Sequence, residues 1–108
     1  MPNTFKNSFK QSVGQTAETV YTAGSGVQAT VIGMTIANIT ASDVKATVFV
    51  NSSGTDYFLV KSATIEPGSA LVPIGGDQKL VLEASDYLKV QSDTSTSLDV
   101  VLSVLEIT

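Results

Sequence analysis

The side chains in this sequence that could carry chemistry are carboxylates. Asp77, Glu83 and Asp86 fall close together at turns or strand ends, and a converging pair of acids can do acid/base work on a glycosidic bond. Aromatic residues make up only 6% of the chain and tryptophan is absent, so nothing lines a deep sugar cleft. The three acids therefore read as solvated turn residues. Asp56 with Asn51 in one loop, or Asp77 with nearby carbonyls, offers oxygen ligands of the kind calcium takes. The D-x-[DN]-x-[DN]-G spacing of a calcium loop is missing, however.

Other chemistries are excluded by composition. The chain has no cysteine, no histidine and no tryptophan, and all six of its basic residues are lysines. Disulfide scaffolds, thiolate nucleophiles, Cys/His zinc sites and Ser-His-Asp triads cannot be built from this set. Gly24-Ser25-Gly26 lacks the surroundings of a phosphate-binding loop and no helix is signalled after it, so it reads as a tight connection between strands. Asn38 and Asn51 each begin an Asn-x-Ser/Thr sequon, and with no secretion signal both read as chance. No catalytic, cofactor-binding or metal-ligating set emerges, and the expectation is a non-enzymatic protein without a cofactor.

Charge and length narrow the partners. Ten carboxylates against six lysines give a formal charge of −4, with the acids spread from Glu18 to Glu106. That balance opposes nucleic acid, which wants a basic patch and preferably arginine. The opening MPNTFKNSFKQSVGQ has no apolar segment of signal-peptide type, and no apolar run approaches the ~20 residues that cross a bilayer. The expected partners thus include neither nucleic acid nor membrane, and synthesis in a cytoplasm is expected. At 108 residues one domain is the natural size.

The elements that must position any site read as strands. Val44, Ala46, Val48 and Val50 alternate with Lys45, Thr47, Phe49 and Asn51, the clearest period-two pattern in the chain. Val27–Ile39 is dense in β-branched residues, with Ile32, Met34 and Ile36 assigned to one face and Val31, Gly33, Thr35 and Ala37 to the other. Further strands are expected over Thr16–Thr22, Tyr57–Ala63, Ser69–Pro73, Lys79–Glu83, Tyr87–Gln91 and Leu98–Ile107. Turn signals separate them: Thr40-Ala41-Ser42-Asp43, the long polar stretch Asn51–Asp56, Pro67-Gly68, Gly75-Gly76-Asp77, Ala84-Ser85-Asp86 and Asp93–Ser97. Seven or eight short strands with no helix after residue 15 predict an all-β fold, a single antiparallel β-sandwich or jelly-roll-like domain over residues 16–108.

Residues 1–15 are set apart as an N-terminal arm, rich in Asn, Lys, Ser and Gln. Phe5, Phe9 and Val13 recur there at i, i+4 and i+8, which suits either a loose extended arm or a short amphipathic turn laid on a neighbouring subunit. The last strand, LDVVLSVLEI, is apolar on both faces. Leu98, Val100, Leu102 and Val104 are expected in the core, and Val101, Leu105 and Ile107 are left for a partner. Phe5, Phe9, Val101, Leu105 and Ile107 are accordingly the candidate contact residues.

The stretches VIGMTIANIT, SALVPIGGDQKLVLEASDYLKVQS and SLDVVLSVLEIT together resemble small virion structural proteins of tailed bacteriophages, particularly marine and cyanobacterial ones. The pattern GG-x-x-K-L-x-L-x-x-x-D-x-L-K-V followed by D-V-x-L-S-x-L-E-I carries the resemblance, over roughly residues 16–108. It implies a β-sandwich module of the virion, foremost a capsid decoration or cement protein that reinforces the assembled shell, with a neck or tail component as the alternative. A carbohydrate-binding host-attachment module is the third reading, disfavoured by the few aromatic residues. The resemblance supplies no catalytic residues. Other virion proteins and further copies of the chain, as a homo-oligomer and foremost a trimer, are the partners it implies.

Overall fold

The computed structural model describes residues 3–75 and 79–108. Among them are nine strands: β1 (Asn3–Val13), β2 (Glu18–Thr22), β3 (Gln28–Asn38), β4 (Val44–Ser52), β5 (Thr55–Ile65), β6 (Ala70–Ile74), β7 (Leu80–Leu82), β8 (Tyr87–Ser92) and β9 (Leu98–Ile107). They pair antiparallel into two sheets. Sheet A has the order β1-β9-β3-β6, with β7 also paired to β3, and sheet B has the order β2-β8-β4-β5. β6 and β7 share one edge of β3, opposite Met34–Ala37 and Ala29–Val31 respectively, so they act as one interrupted strand. Counted that way, eight strands in these orders make two nested Greek keys, the jelly-roll arrangement. The all-β sandwich expected from the spacing of turns is the fold observed.

The inner faces of the two sheets supply the core. Leu98, Val100, Leu102 and Val104 of β9 are all buried, as the alternation of that strand predicts, and so are Val44, Ala46 and Val48 of β4. They meet Val31, Met34, Ile36, Ile74, Leu82, Leu88 and Val90. Each such side chain removed from water contributes roughly 1.5–3 kcal/mol toward folding before entropy is charged against it. In β3 the alternation is reset by a bulge between Val31 and Gly33. Val31 is therefore buried with Met34 and Ile36, whereas Ile32 is only half-buried, which corrects the simple two-face reading of that strand.

The segment set apart as an arm contains β1, which lies against β9 from Asn3↔Ile107 to Val13↔Leu98. It is an integral strand of sheet A, neither a loose tail nor a helical turn. The spacing of four between Phe5 and Phe9 fits a strand as well as a helix, because four is an even number of residues. Val13 should then share their face, but Ser12 adopts a positive φ of 58° at a register shift between Lys10 and Val13. That bulge turns Val13 inward, where it is fully buried. The Asn51–Asp56 stretch also differs from its long-loop reading. β4 and β5 run on to a two-residue hairpin at Ser53-Gly54, both with positive φ, which matches the twist of the flanking strands.

Among the described residues, no buried side-chain nitrogen or oxygen lacks a hydrogen-bond partner. Asn38, 3% exposed, donates from Nδ2 to the carbonyls of Ser42 and Ile65, 2.8 Å each, and accepts at Oδ1 from Thr40 N and Oγ1. One amide thus ties the end of β3 to the β3–β4 turn and to β5. Ser92 and Ser97 form a second buried knot, with Ser97 Oγ donating to Thr94 O at 2.6 Å.

Candidate functional site

The outer face of sheet A gathers the contact residues named from sequence. Antiparallel register sets Phe5 opposite Leu105, Phe9 opposite Val101 and Asn3 opposite Ile107. β3 continues these rows: Leu105 faces Thr30, which in turn faces Val81 of β7, and Val101 faces Thr35. Between them Ser103 Oγ donates to Asn7 Oδ1 at 2.8 Å and Gly33 lies beyond, opposite Ser103. Phe5 is 74% exposed, Phe9 66% and Val101 45%, while Leu105 and Ile107 are half-buried. Residues from the two ends of the chain therefore share one face, where two protruding phenyl rings flank the polar Asn7–Ser103 row and Asp99 precedes Val101 along β9. Two exposed phenyl rings beside half-buried aliphatic residues make this face the candidate site for an interaction.

The other side of β1 faces β2 of sheet B and is polar. Ser8 Oγ donates to Val20 O at 2.7 Å, Lys10 pairs with Glu18 at 3.3 Å, and Lys6 pairs with Glu106 at 3.1 Å. The Tyr21 phenol donates to the second oxygen of Glu106. That bond, together with the Lys6 ammonium, holds the Glu106 carboxyl below the ordinary carboxylate value. Burial and the same carboxylate push the Tyr21 phenol up. These contacts close the open side of the sandwich between β1 and β2 and fix which face of β1 looks outward.

The acids weighed as catalytic or calcium-binding groups are differently occupied. Glu83 and Asp86 belong to one turn, where Asp86 Oδ2 accepts from the Glu83 backbone N–H at 3.0 Å. Asp56 accepts from Asn51 Nδ2 at 2.7 Å, and Asp77 lies outside the described residues. Among the described residues no cluster of three or more acidic groups has the geometry of a metal site.

The outer face of sheet B carries a grouping that sequence reasoning missed. Phe58 and Tyr87 lie on different strands, and no local pattern in the sequence links them. Strand pairing instead brings Phe49 beside both Phe58 and Lys89. The Phe49 and Phe58 rings stand 5.4 Å apart and tilted, Lys61 Nζ lies 5.2 Å from the Phe58 centroid, and Lys89 Nζ lies 5.4 Å from that of Tyr87. The signal was present in the outward positions of β4, Lys45, Thr47 and Phe49, but the pairing partners are not readable from any single strand.

Fold and faces together define a jelly-roll sandwich with two chemically distinct broad sides. No family model matches the chain, and no curated protein matches it in sequence. Among solved structures it is similar to a chain of the Bacillus endospore appendages, described as disulfide-linked pili. The identity is 13% and the TM-score 0.57, over 98% of this chain and 88% of that one. A chain of infectious bursal disease virus, Gt strain, aligns at 11% identity and TM-score 0.46, over 98% of this chain and 30% of the viral one. The first similarity establishes the shared sandwich architecture.

Proposed function

We propose that this chain is a non-enzymatic structural subunit of a bacteriophage particle, docking through the outer face of sheet A as a capsid decoration protein. The observation that carries the reading is the convergence of Phe5, Phe9, Val101, Leu105 and Ile107 on one face. Burying that face against an assembled shell stabilises the shell by mass action, because the subunit binds the assembled form more tightly than free capsomers. With extents of 45 × 26 × 22 Å, a broad side of the molecule is large enough for the roughly 800 Å² per partner of a standard interface.

The pilus likeness supports an assembling subunit in general, with one difference. Those pili are disulfide-linked, and this chain has no cysteine. Its assembly rests on apolar faces and strand edges alone. A homo-oligomer, foremost a trimer, is the form in which such a subunit would sit at a capsomer junction. The chain would be made in the host cytoplasm and reside in the virion.

The neck or tail alternative is separated by copy number. Counting this chain per particle by quantitative mass spectrometry should give hundreds of copies distributed over the shell. A dozen or fewer, confined to the neck or tail, would sink the decoration reading. Docking is tested with Phe5→Ser and Phe9→Ser, whose exposed rings can be removed without touching the core. Shells incubated with the double variant should retain at least tenfold less of it than of the parent chain, the loss expected of two anchor residues. Undiminished retention would show that sheet A does not face the shell.

A further inference from the structure

The outer face of sheet B gathers Lys45, Lys61 and Lys89, of which Lys45 lies near enough to Asp93 to help hold that carboxyl below its ordinary value. Lys6 and Lys10 are committed to Glu106 and Glu18, but no described carboxylate lies within ion-pair distance of Lys45, Lys61 or Lys89. A recess of about 330 Å³ opens between two of these lysines, lined by Lys45, Thr47, Phe58, Lys61, Gln91 and Asp93, among others.

We propose that this recess binds an acidic sugar residue, with the sugar ring against Phe58, its carboxylate or sulfate on Lys45 and Lys61, and its hydroxyls on Thr47, Gln91 and Asp93. Phe58 is 53% exposed, tilted against Phe49 and 5.2 Å from Lys61 Nζ, so its ring offers the C–H side of a pyranose an apolar surface beside an ammonium group. The ammonium groups supply charge-assisted hydrogen bonds to an anionic substituent. Asp93 is the one carboxylate of the lining and it is already partly satisfied. Lys45 N–H and Thr94 Oγ1 both donate to its Oδ1 at 3.0 Å, and Oδ2 receives neither bond and is left to accept from sugar hydroxyls.

A single-stranded nucleic acid uses some of the same groups but fits less well. It needs successive stacking rings along a continuous basic track. Here Asp56 sits in the row of Tyr87 and Asn51, and Asp93 stands at the other end, so a long polyanion would meet like charge beyond the recess. A single acidic sugar touches only the recess. The site lies on the side of the sandwich opposite the face assigned to docking, and it stands whether or not that assignment holds.

The test is a titration of the isotope-labelled full chain, followed by amide chemical shifts, with sodium glucuronate, glucose and oligothymidylate as separate probes at low salt. Glucuronate should give saturable shifts at Thr47, Phe58, Lys61, Ser62 and Gln91 in the millimolar range. Lys61→Gln and Phe58→Ala should each weaken it about tenfold, the loss of one charge-assisted bond or one stacking surface. Phe5→Ser, on the opposite face, should leave it unchanged. Because Lys61 is exposed, Lys61→Gln keeps the fold and remains decisive if Phe58→Ala is destabilised. Absence of saturable shifts, equal binding of glucose, tighter binding of oligothymidylate, or full affinity in Lys61→Gln would each overturn the proposal.

Discussion

The Tyr21 phenol of β2 and the Glu106 carboxylate of β9 are hydrogen-bonded across the open side of the sandwich, with Lys6 of β1 on the other carboxylate oxygen at 3.1 Å. Three strands from two sheets meet in this contact. It has consequences at both ends of the pH scale. The folded-state value of Glu106 is depressed, so its contribution is complete above the ordinary carboxyl value of 4.5 and is lost as pH falls through the lower folded value. The Tyr21 value is raised, so the phenol's contribution is complete below 10.0 and is lost as pH rises through the higher folded value. Thermal melts should show a plateau between these limits with a shoulder on each side. Glu106→Gln should lower stability by about 1–2 kcal/mol on the plateau and flatten the acid shoulder. An unchanged acid limb would show that other carboxylates dominate it.

Asn38 should be among the most sensitive polar positions. Asn38→Ala removes the buried bond to the Ile65 carbonyl, while the Ser42 carbonyl keeps Thr40 Oγ1 as a donor, and should cost about 1–3 kcal/mol. Asn38→Asp is informative because it keeps the size and the acceptor but removes both donors. Denaturant unfolding should find it no more stable than the alanine variant at neutral pH.

Removing residues 1–12 should unfold the domain rather than release a tail. The deletion strips β1 from β9 and uncovers the edge of a strand whose inner face is entirely buried. Loss of a cooperative melt, or aggregation, is the expected result. A truncated chain that melts like the parent would restore the view of this segment as an arm.

The hairpin at Ser53-Gly54 predicts a gain. Asparagine tolerates the left-handed conformation better than serine does, and Asn-Gly is the favoured pair for such a turn. Ser53→Asn should raise stability by about 0.5 kcal/mol, measurable as a small increase in midpoint temperature.

Much of the fold was legible because period-two patterning and turn chemistry agree over most of the chain. β4 and β9 show their buried faces in the order of their residues, and Pro67-Gly68 and Asp93–Ser97 fall between strands as their composition requires. β1 was hidden because its inward side is Thr4, Lys6, Ser8 and Lys10, polar groups that only β2 and Glu106 make sense of. The bulges at Ser12 and between Val31 and Gly33 were likewise unreadable, since each exchanges faces without changing the composition of its strand. The five candidate contact residues were picked out one by one from surplus apolarity. That they share a surface follows from the pairing of the first strand with the last, which no local pattern encodes.

The unlike outer faces of the two sheets also bear on thickness. A coat built through the side of sheet A that carries Phe5 and Phe9 would present lysines and the Phe49–Phe58 pair on its free surface, a chemically different face from the one that docks. Growth would be self-limiting at one molecule deep, on the order of the 22 Å short axis. The coat would acquire an inside and an outside from the sequence of its strands alone.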